Sequence, residues 1–182
     1  MKISISTKLR ELDDELEASV EWLHQYMLSS FNMDPKYLAP SRVMRILRPL
    51  YKLVPRPEIS KPLYRVQEFK KDLVLGSEFE LKKSNKVVSW TESSKLKDWK
   101  QIADDVGILG EPRVYVLKAL DSIPLFTTPK FQKSLAAKLK KYDHDNYKID
   151  EYIEWDKDWQ SEVIADGSTP VKVQVIRLIE DS

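Results

Sequence analysis

Cysteine is absent from this chain of 182 residues. Its absence removes disulfides, zinc–thiolate centres and thiol nucleophiles, and it suits a chain with no need of oxidative folding. Histidine is nearly absent. His24 and His144 stand far apart, with no spacing that suggests a metal cluster, so no metal is expected. No apolar run approaches the roughly 20 residues of a membrane span. The N-terminal Met1-Lys2-Ile3-Ser4-Ile5-Ser6 has no apolar core of a secretory signal. The expectation is a cytoplasmic, monomeric protein with no membrane partner. A delivered effector acting in a host cytosol would have the same sequence character. The formal net charge is +1, which points neither to nucleic acid nor to a membrane surface. There is no internal repeat, no low-complexity segment and no regular strand–helix alternation.

What is present divides the chain into two regions of one domain. With 42% hydrophobic and 32% charged residues, the chain can bury a core and stay soluble. Residues 7–55 read as a helical N-terminal lobe. Leu9, Leu12, Leu16, Val20, Leu23 and Met27 recur at spacings of three and four and line one helical face. Asp34-Pro35 opens a short second helix, with the aspartate as cap and proline at the first position. Ser41 is placed to cap a third segment carrying Val43, Ile46 and Leu47, which Pro49 ends or kinks. Pro55, Pro57 and Pro62 then read as an extended link.

From residue 60 to 180 the character changes to strands. Leu63–Val66, Val87–Thr91, Val114–Leu120, Glu162–Ala165 and Val171–Ile179 are rich in valine, isoleucine and tyrosine at strand lengths. One helix spans Ser94 to Val106, with Leu96, Trp99, Ile102, Ala103 and Val106 on a face and Gly107 as its stop. Gly110-Glu111-Pro112 turns into the next strand. A second helix spans Pro129 to Lys141, with Phe131, Leu135 and Leu139 inward. Runs of strands with few helices predict an α+β fold.

Three segments place a polar residue on an otherwise apolar strand. They are Lys61-Pro62-Leu63-Tyr64-Arg65-Val66, Lys86-Val87-Val88-Ser89-Trp90-Thr91 and Trp159-Gln160-Ser161-Glu162-Val163-Ile164. Taken singly, each has a bland account: Arg65 as a surface ion pair, Ser89 as a polar position on an alternating strand, Glu162 as a solvated charge. Taken together, the order arginine, serine, glutamate resembles the arginine–serine–glutamate class of ADP-ribosyltransferases, including the small bacteriophage and bacterial-toxin enzymes. In that class the arginine follows Pro-Leu-(aromatic), the serine ends a Val-Val strand that runs into a helix, and the glutamate opens a Glu-Val-Ile strand followed by a glycine turn and a valine-rich strand. Residues 60–177 follow this arrangement.

The resemblance implies a helical lobe on a mixed, mainly antiparallel two-sheet core that binds NAD as a substrate. It implies transfer of ADP-ribose to a macromolecular acceptor, a host protein side chain or a nucleobase, through an oxocarbenium-like transition state. By it Arg65, Ser89, Gln160 and Glu162 are catalytic, and Arg65, Val66, Ser89, Thr91 and Glu162 contact NAD. A guanidinium can grip a phosphate and a carboxylate can stabilise the positive charge developing on the ribose. A serine hydroxyl can fix that carboxylate. Three positions depart from the class. Val66 stands where the class has glycine, Ser89-Trp90-Thr91 replaces Ser-Thr-Ser, and Gln160-Ser161-Glu162 replaces Glu-x-Glu. The neutral Gln160 points to an acceptor other than arginine, with Trp159 and Trp155 offering stacking faces to it. The basic stretch Arg42, Arg45, Arg48, Lys52 and Arg56 reads as a solvated helix face or as a phosphate-binding surface. Two other readings stay open: a non-catalytic relative that binds a partner through the same fold, and a phage or virion interaction protein that binds protein or nucleic acid.

Overall fold

The structure is a computed structural model that describes residues 5–29, 33–58, 62–105, 113–139 and 162–179. It is α+β, with four α-helices and one seven-stranded sheet among these residues. Helix α1 (Ile5–Ser29) buries Leu16, Ser19, Trp22, Leu23 and Tyr26 at spacings of three and four, with Val20 half-buried beside them. The side chains of Leu9, Leu12 and Met27 lie outside the described residues. Ser19 is polar in this stripe because its hydroxyl donates to the Ile46 carbonyl of the next helix at 2.6 Å.

A 3₁₀ turn, Pro35–Leu38, follows. Asp34 caps it by accepting the Lys36 N–H at 2.9 Å. Trp22 Nε1 donates to the Tyr37 carbonyl at 3.1 Å, and the Val87 N–H donates to the Leu38 carbonyl at 2.7 Å. The turn is thereby held between α1 and the strand that begins at Val88. Helix α2 (Pro40–Leu47) starts one residue before the expected cap. Ala39 occupies the cap position without a side-chain bond, and Pro40 supplies the fixed φ of a first turn, so Ser41 does not cap. The helix ends before Pro49, and a 3₁₀ turn at Leu50–Lys52 carries the chain on. Helix α3 spans Leu96–Asp105, and α4 spans Pro129–Leu139 with Thr128 Oγ1 accepting the Phe131 N–H at 3.2 Å as its cap. Phe131, Leu135 and Leu139 face inward in α4, as do Trp99 and Ala103 in α3, but Leu96 is exposed. Val106, Gly107, Gly110–Pro112 and Lys141 lie outside the described residues.

The strands are β1 (Tyr64–Phe69), β2 (Glu78–Leu81), β3 (Val88–Thr91), β4 (Arg113–Ala119), β5 (Leu125–Thr127), β6 (Glu162–Ala165) and β7 (Val171–Ile179). Their order is β2-β7-β4-β1-β3-β6-β5, with every pairing antiparallel. This corrects the expected mixed, two-sheet core: hydrogen bonding runs without a break through all seven strands. The reason lies at one point. β1 and β4 share six register pairs, whereas β1 and β3 share the single pair Tyr64↔Thr91. That pair joins the halves into one sheet, and beyond it Arg65–Gln67 and Val88–Trp90 part company.

Two apolar clusters follow from this shape. In one, α1, α2 and α4 pack on Val87, Phe126 and Ile164. The other is made of residues from the strands and their connecting loops. Trp90, Val163, Ala165 and Leu125 of one half share it with Leu117, Val171, Val173 and Val175 of the other. Each fully buried aliphatic here contributes about 1.5–3 kcal/mol of hydrophobic stabilisation.

Edge strand β5 is covered. Tyr51 Oη donates to the Phe126 carbonyl and Arg56 Nε to the Leu125 carbonyl, both at 3.0 Å. The Arg56 guanidinium also lies 5.4 Å from the centre of the Phe126 ring. Arg56 is therefore a structural member of the basic stretch. Between β6 and β7, Gly167 approaches the segment that leads into β3. Its carbonyl accepts the Ser84 N–H at 2.6 Å, and a Cβ placed there would sit 2.3 Å from the Lys86 carbonyl oxygen. Only glycine leaves room for that backbone contact.

Candidate functional site

Ser89 and Glu162 come together across β3 and β6. In the register of these strands Thr91 lies opposite Glu162 and Ser89 opposite Ile164. Side chains on one face of a strand recur every second residue, so Ser89, Thr91, Glu162 and Ile164 share a face. Ser89 and Glu162 are diagonal neighbours on it, a gap that a glutamate side chain can span. The Ser89 hydroxyl donates to Glu162 Oε1 at 2.5 Å, with Ser89 exposed and Glu162 half-buried. Burial pushes the Glu162 carboxyl above the ordinary glutamate range, and the Ser89 hydrogen bond acts in the opposite direction.

Thr91 is buried, and its Oγ1 accepts the Ser93 N–H at 3.0 Å. Ser93 in turn donates its hydroxyl to Asp98 and its carbonyl accepts from Trp99 Nε1 at 2.8 Å. Thr91 thus braces the turn from β3 into α3. Tyr64 packs on the same helix, its ring 5.4 Å from that of Trp99.

Arg65 occupies the first position beyond the Tyr64↔Thr91 pair, where β1 and β3 separate. It is half-buried, and its guanidinium carbon lies 5.9 Å from the centre of the Trp90 ring, the residue next to Ser89. Burial lowers its pKa from the usual arginine value. Val66, opposite Val116 on β4, is half-buried. Trp90 Nε1 and Gln67 Oε1 are buried without a hydrogen-bond partner among the described residues.

Tyr26 is the site residue that periodicity missed. It is 5% exposed, stacked on Trp22 with ring centres 5.3 Å apart, and packed in the cluster that holds Val87 and Ile164. Val87 and Ile164 are each two residues from Ser89 and Glu162, so Tyr26 covers the face that carries them. Burial raises the pKa of its phenol far above the tyrosine value. The Glu162 carboxylate raises it further and Arg65 opposes. Tyr26 therefore stands within electrostatic reach of both.

Gln160, Trp159 and Trp155 lie outside the described residues. Among the described residues, no group of three or more histidine, aspartate or glutamate side chains is arranged to hold a metal, and no helix is long and apolar enough to cross a membrane. No family model, no curated protein and no solved structure matches this chain.

Proposed function

We propose that this protein is a mono-ADP-ribosyltransferase that moves ADP-ribose from NAD to a macromolecular acceptor. The observation that carries this reading is the Ser89–Glu162 hydrogen bond, with Arg65 over the Trp90 ring where β1 and β3 part. A glutamate gripped by an adjacent serine and reachable from solvent, with a half-buried guanidinium on the next strand, suits chemistry on an anionic donor with a cationic transition state.

In this reading Arg65 pairs with the pyrophosphate of NAD. Glu162 accepts a hydrogen bond from a ribose hydroxyl and stabilises the positive charge as the C1′–N bond to nicotinamide breaks. Nicotinamide leaves with the bonding electron pair. A lone pair of the acceptor forms the new bond to C1′, and the acceptor's proton passes to solvent or to a base. Ser89 holds the Glu162 carboxylate in one orientation, which limits the reorganisation needed at the transition state. Gln160, two residues before Glu162 in the sequence, is the acceptor-side residue of this proposal, and Trp159 or Trp155 would offer the acceptor a stacking face.

The test is incubation of the protein with adenylate-labelled NAD and cell lysate, followed by separate recovery of protein and nucleic acid. Label in either fraction that disappears with Glu162→Gln supports the assignment. Neither transfer nor nicotinamide release by the wild-type protein sinks it.

A further inference from the structure

A cationic track runs over α2 and reaches the neighbourhood of Ser89. From Pro40 to Pro57 the chain holds five arginines and lysines and no acidic residue. Val43 and Leu47 turn inward, and Arg45, Arg48 and Lys52 are exposed. None of these three makes an ion pair among the described residues, where the ion pairs are Lys36–Asp34, Arg113–Asp72 and Lys172–Glu78. Arg42 begins the track, its guanidinium carbon 4.3 Å from the centre of the Tyr37 ring. Tyr37 is 37% exposed. Its neighbour Leu38 accepts the Val87 N–H at 2.7 Å, so the backbone next to Tyr37 meets the chain just before β3, two residues ahead of Ser89.

We propose that the surface formed by Tyr37, Arg42, Arg45, Arg48 and Lys52 binds single-stranded nucleic acid and leads it toward Ser89 and Glu162. The cations suit a phosphate backbone, and the partly exposed Tyr37 ring, with Arg42 at 4.3 Å and Lys36 at 4.9 Å from its centre, adds an aromatic surface for an unpaired base. A duplex keeps its bases stacked away from such a face. A lipid surface would call for exposed aliphatics, and those of the described residues, Val74, Leu75 and Leu96, belong to the β1–β2 loop and α3. The exposed acids Asp14, Glu15, Glu17 and Glu21 of neighbouring α1 repel a polyanion and confine it to the α2 side. Delivery to Ser89 and Glu162 rests on the transferase reading, but binding does not.

The test is fluorescence anisotropy with a labelled single-stranded RNA of mixed sequence, without NAD, over a range of salt. Four phosphate contacts give a log–log salt slope of about −3. Arg45→Glu/Arg48→Glu/Lys52→Glu, all at exposed positions, lowers affinity more than tenfold at low salt and flattens the slope, with the far-UV circular dichroism unchanged. Tyr37→Ala lowers affinity by roughly tenfold through the lost stack. Binding is read without NAD and without transfer, which separates this proposal from the fate of the transferase reading. The proposal is overturned if wild type fails to bind at low salt or if the triple variant binds as well. Equal affinity for the matching duplex, or binding to phosphatidylserine vesicles in place of RNA, overturns it also.

Discussion

Glu162→Gln separates the chemistry of the site from its stability. The substitution keeps the side chain's size and an oxygen that can accept from Ser89, but removes the charge. If Glu162 stabilises an oxocarbenium-like transition state, transfer and NAD hydrolysis fall on the order of a hundred- to a thousand-fold, the scale of one lost electrostatic group, or about 2.7–4 kcal/mol. The fold responds in the opposite sense. Burial raises the Glu162 pKa more than the Ser89 bond lowers it, so the ionised carboxylate is held at a net cost. Replacing a charge-assisted bond with a neutral one gives up about 1 kcal/mol, and the larger desolvation cost is relieved. A raised folded pKa means the native state holds the extra proton, so wild-type stability declines as pH rises from the ordinary glutamate value through the folded one. The variant lacks this group. Its melting temperature is therefore expected to match wild type at acid pH and to exceed it at neutral pH. Scanning calorimetry at several pH values, paired with single-turnover nicotinamide release, reads both effects. A variant of near-normal activity, or one whose melting temperature drops at neutral pH, refutes the reasoning.

Ser89→Ala removes the bond that holds the Glu162 pKa down, so the acid limb of the pH–rate profile is expected to move upward; a limb that stays put shows that Ser89 does not act on that carboxylate. Arg65→Lys loses the two-pronged fork and raises the NAD concentration needed for half-maximal rate, measured by steady-state kinetics. Equal requirements in the two proteins exclude a donor-binding role. Tyr26→Phe keeps the ring on Trp22 and hence the melting temperature, while the rate falls; unchanged kinetics would remove the phenol from the site. Gly167→Ala forces a Cβ against the Lys86 carbonyl and costs about 1–3 kcal/mol, visible as a lower melting temperature, and it also weakens activity because β3 is displaced.

The strands that carry Ser89 and Glu162 were legible because β-branched runs flank both residues and each run is long enough to stand out. β2 was not, since Glu78-Phe79-Glu80-Leu81 holds two apolar residues and its core contact comes from β7. β5 is three residues long and follows Pro124, too short for a pattern. Periodicity placed a buried face on α1 but chose Leu16, Val20 and Leu23 over Trp22 and Tyr26, because the polar Ser19 interrupts the stripe they share. Its hydroxyl is satisfied by the Glu15 carbonyl one turn back and by the distant Ile46 carbonyl. Continuity of the sheet is likewise non-local. It rests on the Tyr64↔Thr91 pair, 27 residues apart, which no local propensity encodes. Polar pairing at the site was readable only as order along the chain. The register that makes Ser89 and Glu162 diagonal neighbours belongs to the fold.

The covered rim of β5 bears on how this protein behaves in crowded solution. A free sheet margin is a template on which another chain can add a strand, the first step toward fibrillar aggregates. Here Tyr51 and Arg56 occupy the Phe126 and Leu125 carbonyls, so an incoming strand finds those acceptors already taken. Two side chains from one short segment thus guard this rim, and a strand adding here would first have to displace them.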